Sequence, residues 1–344
     1  MTVESSRRLP VLLLSLVGGV LLVALLAAVM IGPVDLRPSA VFLEIFDHLP
    51  LVDVDSGLDA RQAAIVWELR LPRAVLGALV GATLAVAGAA YQGVFRNPLA
   101  DPYLLGVAAG AGLGATIAIV AVGSGSVLVP IAAFAGAVLA VVATYGLGSA
   151  GGGHRTGTTL ILAGVAVAAF LTAAQTFVQQ RHAETIREVY AWILGRLGTT
   201  GWGDVALMAP YAAISIVVIV LHRRLLDVLA VGEDEASTLG VRPERVRTAV
   251  VIAATLGTAG AVAASGLIGF VGIVVPHTIR LLVGSSYRAI VPMTVLGGAA
   301  FLVLADLVAR TALSPSEIPI GVVTAFVGGP FFVVILRTSR RGAR

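Results

Sequence analysis

The sequence predicts an all-α, polytopic membrane protein with about ten transmembrane helices, and three observations carry that prediction. Of 344 residues, 58% are hydrophobic and only 12% are charged, whereas soluble domains carry roughly 25% charged residues. Mean hydropathy is correspondingly high, at +0.98. Runs of about 20 apolar residues, the length a bilayer core requires, recur along the chain with short connections between them. These runs are continuously apolar and do not alternate with polar residues, which excludes a transmembrane β-barrel. The chain reads as one domain over residues 1–344.

The elements follow in order. Arg7 and Arg8 precede an apolar run over 9–31. That run is longer than the 7–15 residues of a signal-peptide core, so it reads as a first span with its basic end in the cytoplasm. Residues 32–70 form the longest polar connection, with seven acids (Asp35, Glu44, Asp47, Asp53, Asp55, Asp59, Glu68). Later spans are expected over 74–95, 102–122, 127–148, 158–179, 204–222, 246–264, 268–284, 290–310 and 318–336.

The arginines test this topology. All 23 basic residues are Arg. With ten spans and the N-terminus inside, 15 of them fall on the cytoplasmic side, Arg155 and Arg344 among them. Arg37, Arg61, Arg70, Arg73, Arg181, Arg187, Arg196 and Arg310 fall on the other face with most of the acids. The positive-inside rule is therefore met with both termini cytoplasmic, in a cell-membrane protein. Distributed loop arginines also account for the pI near 9.9, so no nucleic-acid partner is expected.

Small residues punctuate the spans: Gly77, Gly81 and Gly88 in the second, Gly106, Gly110 and Gly114 in the third. They allow close backbone approach, for tight packing or for helices that slide during transport. No internal repeat of the kind that builds inverted-repeat carriers is visible.

Groups that could perform chemistry are sparse. With no Cys and no Lys, thiol catalysis, thiolate metal sites, Schiff bases and a Walker lysine are excluded. His48, His154, His182, His222 and His277 are scattered without metal-ligand spacing. Asp306 is the clear ionisable residue within a span, and Arg310 follows four residues later on the same helix face, as a self-neutralising pair would. An ion-coupled carrier needs buried carboxylates, and a membrane enzyme needs a nucleophile or a metal cluster. A bundle whose one clear in-span carboxylate is matched by an arginine, and which shows no nucleophile or metal cluster, needs energy from elsewhere. Residues 223–247, with five Arg, three Glu and two Asp in two short amphipathic pieces split by Gly232, form the one cytoplasmic segment large enough to receive it.

Five blocks then identify a resemblance: RLPR at 70–73, GATLAVAGAAYQGVFRNPLADPYLLGVAAGA at 81–111, GEDEASTLGV at 232–241, SGLIGFVGIVVPHTIR at 265–280 and LADLVARTALSPSEIPIGVVTAFVGGPFF at 304–332. In this order they resemble the FecCD/BtuC-type permeases, the membrane subunits of type II ABC importers for iron–siderophore complexes, haem and vitamin B12. The resemblance implies a BtuC-like fold and a homodimer with the path along its two-fold axis. It implies two ATPase subunits below, holding the ATP and Mg, and an extracytoplasmic binding protein above. The permease itself is then not an enzyme and holds no cofactor or metal.

Carried onto this sequence, the resemblance assigns ATPase coupling to Gly232, Glu233, Asp234, Ala236, Leu239, Gly240 and Val241. Gly232 turns the chain, and Ala236, Leu239, Gly240 and Val241 form a small apolar knob. It assigns docking of the binding protein to Arg70, Arg73 and Arg310; a pairing of Arg70 with Glu68 or Glu44, and of Arg310 with Asp306, is the alternative. Thr159, Gln175, Gln179, Tyr190 and Trp192 are candidates for the pathway lining or for polar contacts between helices. A ferric siderophore is the expected cargo, with haem and vitamin B12 as alternatives.

Overall fold

The computed structural model describes residues 3–48, 54–149, 157–198 and 201–341. Asp53, His154, Arg155 and Arg344 lie outside the described residues. The described chain is helical throughout: α1 (Val3–Met30), α2 (Pro38–Asp47), α3 (Ala60–Ala64), a π-helical stretch (Ile65–Arg70), α4 (Leu71–Val94), α5 (Val107–Val122), α6 (Leu128–Ser149) and α7 (Gly157–Arg181) come first. A 3₁₀ turn (Ala183–Thr185), α8 (Ile186–Ile193), α9 (Trp202–Val231), α10 (Glu233–Thr238), α11 (Pro243–Ser265), α12 (Val271–Val283), α13 (Tyr287–Thr311) and α14 (Ile320–Arg341) follow. Seven of these segments are long and apolar enough to cross a membrane, and α5, α12 and part of α14 are shorter apolar helices. The ten expected spans correspond to α1, α4, α5, α6, α7, α9, α11, α12, α13 and α14.

The segment at 32–70 is more ordered than a polar connection. It contains α2, and it ends in a helix that begins at Ala60, where Asp59 and Gln62 form a reciprocal capping box. That helix runs directly into α4. Pro72 supplies no N–H and its ring crowds the preceding turn. Immediately before it the chain widens into the π-helical stretch, in which Leu71 N–H bonds Val66 O. The extra residue turns Arg70 inward, to 5% exposure.

Helix α4 is the axis of the bundle. It packs against α13, α9, α11 and α12, and from Val80 to Val94 every residue is buried. Its glycines make this possible. A Cβ on Gly81 would lie 2.2 Å from the Gly298 carbonyl oxygen of α13, and one on Gly88 only 2.0 Å from that of Gly272 in α12. A second close pair joins α5 to α6, where Gly110 and Gly136 lie backbone to backbone. With no hydrophobic drive between helices in lipid, such close packing is the main attraction left.

The connection between α4 and α5 is built from Asx turns: Asn97 Oδ1 accepts Leu99 N–H and Asp101 Oδ1 accepts Tyr103 N–H. The Tyr103 hydroxyl then donates to Ile268 O and accepts Ile268 N–H. Two of the motif blocks, around 100 and around 268, are thus pinned to one another before α5 and α12 begin.

Candidate functional site

The two ends of the bundle carry different polar constructions. At one end, α9 continues past the expected boundary near 222 to Val231, so the first amphipathic piece of the 223–247 segment is its own overhang. Gly232 breaks the helix, and its carbonyl accepts Ala236 N–H to start α10. Glu233, Asp234 and Glu235 fill the first turn, where negative charge suits the helix dipole. The turn closes as a Schellman motif: Gly240 N–H bonds Ser237 O, and Val241 N–H bonds Ala236 O. Gly240 takes the left-handed conformation this requires, at φ 79°.

The side chains of this segment separate into two sets. Ala236 is fully buried, and Val241 is partly buried in the same apolar cluster as Leu226, Leu229 and Val246. Leu239 is 69% exposed. The expected knob of Ala236, Leu239, Gly240 and Val241 is therefore corrected to Leu239 beside Gly240, standing on a foundation of Ala236 and Val241. The Schellman geometry turns Val241 back over Ala236, and this puts both inside. Glu233 is ion-paired to the buried Arg247 of α11, while Asp234 is exposed.

The opposite end holds a cluster of buried charge. The Arg73 guanidinium grips Asp306 of α13 through Nε and Nη2, at 2.9–3.1 Å. The same group reaches Glu317 through Nη1 at 2.8 Å and Nη2 at 2.9 Å. Both contacts are bidentate, the geometry that distinguishes Arg from Lys. The hydrogen bonds from Arg73 hold the Glu317 carboxyl below the usual carboxylate range. Arg310 Nε stands 3.6 Å from Asp306, so the expected Asp306–Arg310 pair is the minor contact and Arg73 is the principal partner.

Arg70 and Arg310 do something the sequence did not anticipate. Arg70 donates to the carbonyls of Val29, Met30 and Val34, and Arg310 to that of Ala28. These carbonyls are at or just past the C-terminal turn of α1, where no intrahelical donors remain. Two cations there satisfy orphan acceptors and complement the helix dipole. Both side chains are 5% exposed. The expected partner Glu44 instead accepts the Ser56 hydroxyl at 2.6 Å and lies 3.5 Å from His48, so carbonyls of α1 hold the Arg70 guanidinium. Arg196, by contrast, is exposed and lines the same cavity of about 200 Å³ as Arg73, Asp306 and Glu317.

The five pathway candidates do not converge. Gln175 is buried with its amide against Gly112 of α5, a contact between helices. Trp192 is a core residue at 8% exposure, while Tyr190, two residues away on α8, is 53% exposed. Those two therefore point to different sides of α8. Thr159 is exposed and Gln179 half-buried on α7. Among the described residues, no group of three or more His, Asp or Glu is arranged to hold a metal.

Comparison with known proteins bears on this arrangement. The model of the FecCD transport family matches residues 20–338, nearly the whole chain. The chain belongs to the FecCD transport family. It is thus an ABC transporter permease subunit and not itself an enzyme. It is 42% identical over 281 residues to the cobalamin import system permease protein BtuC of Halobacterium salinarum, covering 82% of this chain and 75% of that one. It is 36% identical over 306 residues to the Fe(3+)-citrate import system permease protein YfmD of Bacillus subtilis, covering 89% and 90%. A solved metal-chelate type ABC transporter in an inward-facing conformation superposes with a TM-score of 0.80 at 28% identity, covering 94% of this chain and 98% of that one. The FecCD permease described here therefore has the BtuC-like, ten-helix fold that its motif blocks imply.

Proposed function

We propose that this permease, as a homodimer, moves a bulky metal chelate from an extracytoplasmic binding protein into the cytoplasm, driven by two separate ATPase subunits. Both termini and the Gly232 end face the cytoplasm. The observation that carries the coupling assignment is the 232–241 segment. It presents one exposed leucine and three consecutive acids on a short helix whose base is buried, and a large apolar side chain held out on a rigid foundation is what a groove on another protein can grip. Gly232 and Gly240 shape the segment, Ala236 and Val241 anchor it, and Glu233, Asp234 and Leu239 are its candidates for contact.

At the other end, the binding protein docks around Arg73 and the exposed Arg196. A carboxylate arriving from outside would compete with Glu317, the more exposed of Arg73's two partners, for the outer edge of the guanidinium. Arg70 and Arg310 support this surface by holding α1 to α4 and α13; their own guanidiniums are buried against the end of α1. The cargo is an iron chelate, with a ferric siderophore as the sequence expectation. Cobalamin is a second reading, favoured by the 42% identity to a cobalamin permease.

The decisive experiment is co-purification. The chain should bring down a Walker-motif ATPase whose hydrolysis rises with the binding protein, and L239D should abolish that association while the permease still assembles. Retention of the ATPase by L239D would overturn the coupling assignment. Tryptophan quenching of the cognate binding protein against ferric siderophores, haem and cobalamin would identify the cargo.

A further inference from the structure

The α9 overhang carries a carboxylate that the motif resemblance does not explain. Asp227 lies one turn before Val231 and is turned away from α10, toward the start of α13. Its Oδ2 accepts the Ser286 hydroxyl at 3.0 Å, and its Oδ1 accepts Tyr287 N–H. Ser286 is the N-cap position of α13, yet its own side chain makes no capping bond. Asp227 therefore caps another helix in trans, placing full negative charge at its N-terminus. Arg288 adds an ion pair at 3.5 Å, but its side chain is 65% exposed and such pairs contribute little.

The connection continues beyond α13. The Tyr287 ring and Leu226 of α9 both pack against Gly93 of α4, where an added Cβ would meet them at 3.1 and 3.2 Å. The Tyr287 hydroxyl lies 3.1 Å from Arg280 Nη2 of α12, which also donates to Gln92 Oε1 of α4 at 3.2 Å. Gln92 Nε2 donates to Gly272 O at the inner start of α12. A continuous chain of polar contacts thus runs from the helix bearing the 232–241 segment through α13 and α12 to the axial helix α4. On the other side, Glu233 and Arg247 tie α10 to α11.

We infer that Asp227, Tyr287 and Arg280 form a latch that transmits displacement of the 232–241 segment to α12, α13 and α4. They are positioning residues for energy coupling and touch neither ATPase nor cargo. The inference rests on the proposed docking of the ATPase at that segment. Loss of the latch should leave the docking surface intact while α9 moves without carrying α13.

The test uses the full permease–ATPase complex in proteoliposomes with its binding protein. D227N keeps the shape of the side chain and removes its charge. Y287F keeps the ring against Gly93 and removes only the hydroxyl that meets Arg280. Since the chain has no native Cys, S237C, at an exposed position of α10 outside the proposed contact residues, can serve in each background as a single-site cross-linking report of ATPase docking. The expected result is an intact S237C cross-link, ATP hydrolysis that continues, and uptake per ATP of the radiolabelled ferric siderophore or cobalamin that the binding protein takes lowered about fivefold or more, the usual scale of site-to-site coupling. D227E should recover part of the loss. An intact cross-link with unchanged transport per ATP in both D227N and Y287F would overturn the latch alone. Absence of the cross-link in the otherwise unaltered permease would overturn the docking reading, and the latch with it.

Discussion

Replacing Gly88 by Ala tests the close approach on which the axial packing depends. The new Cβ would lie 2.0 Å from the Gly272 carbonyl oxygen and 2.6 Å from its carbonyl carbon and Cα. All three are backbone atoms, so no side chain can swing away. Restoring ordinary contact, which begins at 3.4 Å, requires α4 and α12 to part by about 1.4 Å. Overpacking of this kind costs about 1–3 kcal/mol. The same carbonyl accepts Gln92 Nε2 at 3.2 Å, and stretching that buried bond adds about 1–3 kcal/mol. Ala gains back up to about 1 kcal/mol in helix propensity. The net loss is then about 1–6 kcal/mol, and at about 1.4 °C per kcal/mol for a chain of this length the apparent melting temperature falls by about 1.4–8 °C. Heating in detergent followed by fluorescence-detected size exclusion would measure it. G19A is the control, because no atom lies within 4 Å of the Cβ it would add to α1. A melting temperature for G88A within about 1 °C of both wild type and G19A would refute the close approach.

Two further stability predictions concern other contacts. R73Q should destabilise by about 3–5 kcal/mol, because it leaves the 4%-exposed Asp306 side chain with only the 3.6 Å contact to Arg310. E317Q should cost under about 1 kcal/mol, because the Glu317 side chain is 48% exposed; equal losses in the two variants would contradict this division of the cluster. G328A should also destabilise, since its Cβ would lie 2.2 Å from Phe270 Cγ, and Phe270 itself is held at φ 68°. In a double-mutant cycle F270A should recover part of that loss, and simple additivity would show that the two do not pack together.

The sequence alone determined the class of this protein and its number of spans, because burying backbone in lipid demands long apolar helices and leaves a hydropathy signature no packing can erase. It also located the 223–247 segment, because a dense polar segment between two spans stands out in the same one-dimensional signal, and the motif resemblance narrowed it to 232–241. The five motif blocks determined the family. Only the tertiary structure decided what individual side chains do. Arg70 and Arg310 sit in motif positions that read as outward-facing docking cations, yet their acceptors are carbonyls at the end of α1, 41 and 282 residues away for Val29 and Ala28. Trp192 and Tyr190 look alike as aromatic pathway candidates, and the pitch of α8 sends one into the core and the other outward. Ala236 and Leu239 both read as parts of a knob until a Schellman turn buries one and exposes the other. In each case the deciding quantity is a hydrogen bond or a contact to a residue remote in the chain. Composition and periodicity report how often a residue is buried; they carry no information about which distant backbone group or helix face it will meet.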